Sequence, residues 1–190
     1  MIIIGILALQ GGFERHENML TKMGISSIYV KYSKDLMKCS GLIIPGGEST
    51  SLSKLINKNN LYYEILKFGK NKPIFGTCAG LILLSNINQN HIKSFNFLDI
   101  DVERNGWGRQ IDSFESNIIL NGLEEIFFNA IFIRAPKIKK LNNKKISILS
   151  MYKEEPVLIR YKNFLGATFH PELTDNDSIH RYFINMINES

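Results

Sequence analysis

The sequence predicts an α/β fold of three layers, in which a mostly parallel central sheet carries helices on both faces. Three observations lead there. Residues 2–9 are almost continuously apolar, as a central strand covered on both faces requires. Strand-length apolar runs then alternate with stretches of helical periodicity, the pattern of parallel strands joined by crossover helices. Finally, the early runs end in glycine-rich turns, Gln10-Gly11-Gly12 and Pro45-Gly46-Gly47. Open α/β sheets bind ligands at that carboxyl edge.

The elements follow in order. A helix is expected over residues 13–23, then strands around 28–30 and 42–44. Ser49 or Thr50 is placed to cap a helix starting near Leu52. Residues 73–84 read as a short apolar strand running directly into a helix. Residues 86–91 are polar and read as a loop. The pieces at 97–102, 116–120, 130–133, 146–151 and 157–161 are β-rich with few helices between them, which predicts antiparallel additions or an extension of the main sheet. Lysines and asparagines alternating with aliphatics at 137–145 read as a solvated loop. A strand over 164–168 is expected to continue to His170 and Glu172. A final helix over 175–187, capped by Asp175 or Asn176, carries Ile179, Phe183 and Ile187 toward the sheet and leaves His180 exposed.

Length and composition set limits. A chain of 190 residues, 44% of them hydrophobic, suits a single domain over residues 1–190. The apolar start is too short for a membrane span and has no basic leader, which points to a cytoplasmic protein. The two cysteines, Cys39 and Cys78, lie in different segments and are expected as free thiols. The net charge of +5 comes with no helix-turn-helix or aromatic-basic pattern, so no nucleic-acid partner is expected. The sequence carries no metal-ligand cluster and no G-x-x-x-x-G-K phosphate loop, so no cofactor is implied.

The chemistry centres on Gly76-Thr77-Cys78-Ala79-Gly80. A strand-to-helix corner this tight needs small residues around its apex, and it should hold the Cys78 side chain in the open at a helix N-terminus that favours negative charge. The amide of Ala79 would then face an oxyanion. Far down the chain stands His170-Pro171-Glu172. If these lie on a strand, His170 and Glu172 face the same way, and the carboxylate accepts the Nδ1 proton so that Nε2 can take one from the thiol. A structural cysteine in a tight turn and an ordinary histidine are the competing readings of either segment alone. The two adjacent glycines at 46–47 would let backbone N–H groups approach a ligand closely, and Arg104, in a flexible Gly-Trp-Gly loop, could grip a carboxylate in bidentate fashion.

Taken together, Gly76-Thr77-Cys78-Ala79-Gly80 and His170-Pro171-Glu172 resemble the class I glutamine amidotransferases, which have a flavodoxin-like fold. Further segments narrow the resemblance to the glutaminase subunits of pyridoxal 5'-phosphate synthase: Leu7-Ala8-Leu9-Gln10-Gly11, Pro45-Gly46-Gly47-Glu48-Ser49-Thr50, Arg104-Asn105-Gly106-Trp107-Gly108-Arg109-Gln110, Phe132-Ile133-Arg134-Ala135-Pro136 and Phe169-His170-Pro171-Glu172. The resemblance implies a triad of Cys78, His170 and Glu172 and an oxyanion hole from the Gly47 and Ala79 amides. It also implies glutamine contacts at Gly46, Gly47, Glu48, Arg104, Ile133 and Arg134. Gln10 would lie near an ammonia-accepting synthase subunit. Two positions depart from the family pattern: Glu14-Arg15-His16, where the family has Glu directly before His, and Gly106-Trp107, where it has a small residue and Phe or Tyr. Three other readings stay open at this stage, namely a different class I amidotransferase, a cysteine peptidase or esterase on a similar elbow, and a subunit that only binds.

Overall fold

The computed structural model describes residues 2–89, 91–107, 113–121 and 126–189. In chain order it contains β1 (Ile3–Leu7), α1 (Phe13–Lys22), β2 (Ser26–Val30), α2 (Ser33–Leu36), β3 (Gly41–Ile44), α3 (Ser49–Lys58), α4 (Tyr62–Phe68), β4 (Ile74–Thr77) and α5 (Ala79–Leu84). The second half adds β5 (Asn88–Gln89), β6 (Ile92–Lys93), β7 (Ile100–Glu103), β8 (Ser113–Leu120), β9 (Ile126–Ile133), β10 (Lys137–Leu141), β11 (Ser147–Tyr152), β12 (Glu155–Tyr161) and β13 (Phe164–Ala167). A 3-10 turn, Pro171–Leu173, precedes α6 (Ser178–Asn188).

The main sheet has the order β11-β12-β13-β4-β3-β1-β2. Its five strands from β13 to β2 are parallel, while β12 and β11 join antiparallel. The predicted sheet is therefore present, and the β-rich second half does both things expected of it. β11 and β12 extend the sheet, whereas β8 with β9 and β7 with β10 form separate antiparallel pairs.

Strand alternation divides the core into two layers. Leu42, Ile44 and Ile74 point to one side, where they meet Leu52 and Ile56 of α3, Ile65 of α4 and the whole apolar run of α5. Ile4, Ile6, Ile43, Phe75 and Leu165 point to the other, where Leu20 of α1, Ile179 and Phe183 of α6, and Phe128 and Phe132 of the β8–β9 hairpin cover them. Full burial of Phe75, Phe128, Phe132, Phe169 and Phe183 contributes roughly 1.5–3 kcal/mol per side chain.

Several local expectations change. Residues 137–141 are not a loop but β10, paired antiparallel with β7; Lys137 and Lys139 reach Glu155 and Glu103, so the lysine run is charge-compensated along a strand. The cap of α3 is Glu48, whose carboxylate accepts the N–H groups of Thr50 and Ser51 at 2.9 and 2.6 Å, one place ahead of the hydroxyls expected to do so. α6 starts at Ser178, whose N–H bonds to Asn176 Oδ1 at 3.0 Å. His180 is 0% exposed, because α6 turns it toward Phe75 at the sheet rather than toward water.

Candidate active site

Four neighbouring parallel strands deliver their carboxyl ends to one edge of the sheet, and the chain leaving each brings a segment singled out in the sequence. Gln10, Gly11 and Gly12 follow β1, Gly46 to Glu48 follow β3, Cys78 follows β4 and His170 follows β13. These loops surround a cavity of about 390 Å³ lined also by Arg104, Asn105, Ile133, Arg134 and Glu172. Every residue assigned from the sequence except Ala79 lines this one space. Ala79 lies just outside the lining, as the first residue of α5, where its N–H has no partner within the helix. Gly108, Arg109 and Gln110 lie outside the described residues.

Cys78 occupies the corner as expected, at φ 49° and ψ −103°, a conformation costly for a non-glycine residue. Backbone bonds hold it there: Cys78 N–H donates to Ala167 O at 2.9 Å, and Ile82 N–H to Cys78 O at 3.2 Å. Its side chain is not in the open, however. Only 7% of Cys78 is exposed, because the Gly46 loop and the His170 ring close over it. Gly46 must be glycine for this closure, since a Cβ there would lie 2.3 Å from His170 Cε1.

His170 and Glu172 do meet, but not across a strand. β13 ends at Ala167, and the 3-10 turn at Pro171 folds Glu172 back so that its Oε1 lies 2.7 Å from His170 Nδ1. Burial would lower the His170 pKa, yet the neighbouring Cys78 and the Glu172 carboxylate, which accepts the Nδ1–H, override it and raise the value to about 10. His170 and Glu172 therefore form a hydrogen-bonded pair with the ring protonated, and the Cys78 thiol beside them points to Ile133 O at 3.9 Å.

Around these residues the cavity is polar and partly self-paired. Arg104 reaches Glu48 Oε1 at 3.1 Å and Thr50 Oγ1 at 3.3 Å, and Glu48 N–H donates to Gln10 Oε1 at 3.0 Å. Partial burial opposes the Glu48 charge, but the N–H groups of Thr50 and Ser51 hold its pKa at about 2. Arg134 sits at φ 41°, a strained backbone that places it at the cavity wall directly after β9. Gln10, expected near a partner, here holds the Gly47-Glu48 segment of its own chain.

The profile of the SNO glutamine amidotransferase family matches residues 6–189. The chain belongs to that family. Among curated relatives, pyridoxal 5'-phosphate synthase subunit PdxT of Thermosipho africanus is 46% identical over 186 residues, covering 97% of this chain and 98% of the relative. The subunit of the same name from Francisella philomiragia is 43% identical over 185 residues, covering 97% and 99%. A crystal structure described as a glutamine amidotransferase superposes with a TM-score of 0.91 at 36% identity, covering 97% of this chain and 98% of the other. The fold is that of the class I glutamine amidotransferases, as the resemblance implied.

Within this amidotransferase framework, sequence reasoning missed two buried histidines. His16 Nδ1 lies 2.9 Å from His180 Nε2, and His16 Nε2 lies 3.3 Å from Thr77 Oγ1 and 3.5 Å from Glu172 Oε2. The signal available was His16 itself, four residues after the glycine turn on the helix that leaves the site. His180 offered none, since only the packing of α6 brings it inward.

These rings make stability depend on pH. Burial pushes the His180 pKa from 6.5 to about 3 and lowers that of His16 too, so between about 3 and 6.5 the unfolded chain binds more protons and stability rises with pH. His170 acts in the opposite sense. Its raised pKa adds stability that is fully present below 6.5 and lost as pH rises through about 10. Unfolding free energies are therefore expected to peak near neutrality. His180→Leu should flatten the acid side by about 1.4 kcal/mol per pH unit, and denaturant melts from pH 4 to 7 with equal slopes in the two proteins would refute this.

Proposed function

We propose that this chain hydrolyses L-glutamine to L-glutamate and ammonia, and that it hands the ammonia to a synthase subunit making pyridoxal 5'-phosphate. The observation that carries the reading is the His170–Glu172 hydrogen bond beside Cys78, seated in the cavity that also holds Arg104 and Arg134. The relatives' name, subunit of pyridoxal 5'-phosphate synthase, supports the choice of acceptor. Two free thiols fit a cytoplasmic enzyme. None of the described helices is long and apolar enough to cross a membrane.

The chemistry is acyl transfer to water. Cys78 Sγ attacks the side-chain amide carbon of glutamine, and the amides of Gly47 and Ala79 receive the charge that develops on oxygen. His170 Nε2 gives its proton to the departing nitrogen, so ammonia leaves and a thioester remains. Water, deprotonated by His170, then splits the thioester, and glutamate leaves with the thiol restored. Glu172 holds His170 in the orientation that points Nε2 at the sulfur. Arg104 and Arg134 take the α-carboxylate of the substrate; for Arg104 this means exchanging Glu48 for the ligand. Glu48, with Gly46, Gly47 and Ile133, completes the glutamine contacts, and Gln10 carries the state of the Gly47 loop toward the partner.

A diazoketone analogue of glutamine tests the reading directly. Mass spectrometry is expected to find one adduct, on Cys78, formed faster when the synthase subunit is present, because the partner gates the site. Absence of any adduct with the partner present would sink the glutaminase assignment.

A further inference from the structure

We propose that His16 is a positioning residue of this site, donating its Nε2–H to Glu172 Oε2 and so fixing the carboxylate that orients His170. The proposal rests on the glutaminase reading above. Its starting point is the second oxygen of Glu172. Oε1 is taken by His170 Nδ1 at 2.7 Å, whereas Oε2 is buried, has no conventional hydrogen bond and faces His16 Nε2 at 3.5 Å. A buried carboxylate oxygen left without a donor is expensive, so the direction of that one contact matters.

The protons can be assigned. Burial pushes both His16 and His180 below 6.5, so each ring is neutral at pH 7, with one N–H and one lone pair. If His16 carried its proton on Nδ1, its Nε2 lone pair would face the Glu172 carboxylate. His180 would then accept at Nε2 and bury an unpartnered N–H at Nδ1. With the proton on His16 Nε2, that N–H is shared between Thr77 Oγ1 and Glu172 Oε2, and His180 Nε2–H donates to His16 Nδ1. Only a lone pair is then left over at His180 Nδ1. The second arrangement satisfies every N–H and repels nothing.

The result is a directed series from α6 to the sulfur: His180 to His16, His16 to Glu172, with Glu172 accepting from His170 beside Cys78. The ionisable groups acting on His16 are Glu172 in the 3-10 turn, His170 just before it and His180 on α6; β4 contributes the Thr77 hydroxyl and the edge of Phe75. Burial works against the Glu172 charge, but His16 and His170 beside it hold its carboxyl below the usual range. Without the His16 donor the carboxyl would take a proton at higher pH, and His170 would lose the partner that sets its tautomer.

Two amide substitutions separate this role from mere space-filling. The side chain of His16→Asn can occupy the Nδ1 position and pair with His180 but falls short of Glu172, whereas that of His16→Gln reaches the Nε2 position. With the synthase subunit present, His16→Asn is expected to lower kcat at least about tenfold with KM for glutamine within about twofold, and to move the acid limb of the pH profile up by about one unit. His16→Gln should keep the wild-type acid limb and lose no more than about threefold in kcat. A wild-type kcat and acid limb in His16→Asn, or equal losses in both variants, overturns the role of His16. If His16→Asn fails to fold, His16→Gln decides alone, and a shifted acid limb in it overturns the proposal. An inactive wild-type complex would instead overturn the glutaminase reading, so the two failures are told apart.

Discussion

Cys78→Ala is expected to abolish glutamate production by the complex, with a fall of about 10⁴-fold or more, while the protein stays folded. In the proposed reaction the sulfur forms the thioester, and His170 without that nucleophile could only activate water against an unactivated amide. The fold should tolerate the change because the bonds that hold the elbow, Cys78 N–H to Ala167 O and Ile82 N–H to Cys78 O, belong to the backbone. The positive φ remains strained for alanine as it is for cysteine, so no relief or extra cost is expected there. Far-ultraviolet circular dichroism and a melting curve check the fold, and a coupled glutamate assay checks the loss. Added ammonium salt should restore product formation by the synthase subunit, because only ammonia supply is missing. A variant retaining more than about a tenth of wild-type activity would move the nucleophile elsewhere.

Much of this site was legible in the sequence because its residues sit where the backbone makes unusual demands. Gly76 and Gly80 around Cys78, and the pair at Gly46-Gly47, mark places where a Cβ would collide, and such places are written in the sequence as glycine. Strand runs buried on both faces are equally plain, which is why the parallel half of the sheet was predicted to within a few residues. What escaped was set by tertiary packing. The partner of Glu172 Oε2 lies 156 positions away in the chain, on α1. The inward turn of His180 follows from how α6 settles on Phe75, not from any local signal. Likewise the lysines of β10 read as loop because their charges are balanced by Glu103 and Glu155, which are remote in sequence. The route by which Glu172 reaches His170 was misread for a local reason, since His-Pro-Glu fits a strand end and a 3-10 turn alike, and only the latter forms.

Gly80→Ala should damage both the fold and the reaction through one contact. A Cβ at residue 80 would lie 2.0 Å from Ile44 O and 2.9 Å from Ile44 C, which are backbone atoms of the central strand β3 and cannot turn aside as a side chain could. The start of α5 must therefore back away from β3, carrying Cys78 away from Gly47. Overpacking of this kind costs about 3 kcal/mol, which for a chain of this size lowers Tm by roughly 6–12 °C. A displacement of about 1 Å at the nucleophile would cut glutamine turnover by about 10²-fold even in molecules that remain folded. Gly24 supplies the contrast: it has φ +72°, yet a Cβ there meets nothing within 4 Å. Gly24→Ala should cost only the backbone strain of about 1–2 kcal/mol and leave turnover unchanged. Differential scanning fluorimetry with the glutamate assay separates the two variants. If Gly80→Ala melts and turns over as Gly24→Ala does, then α5 is free to move away from β3 and the elbow is not held by that contact.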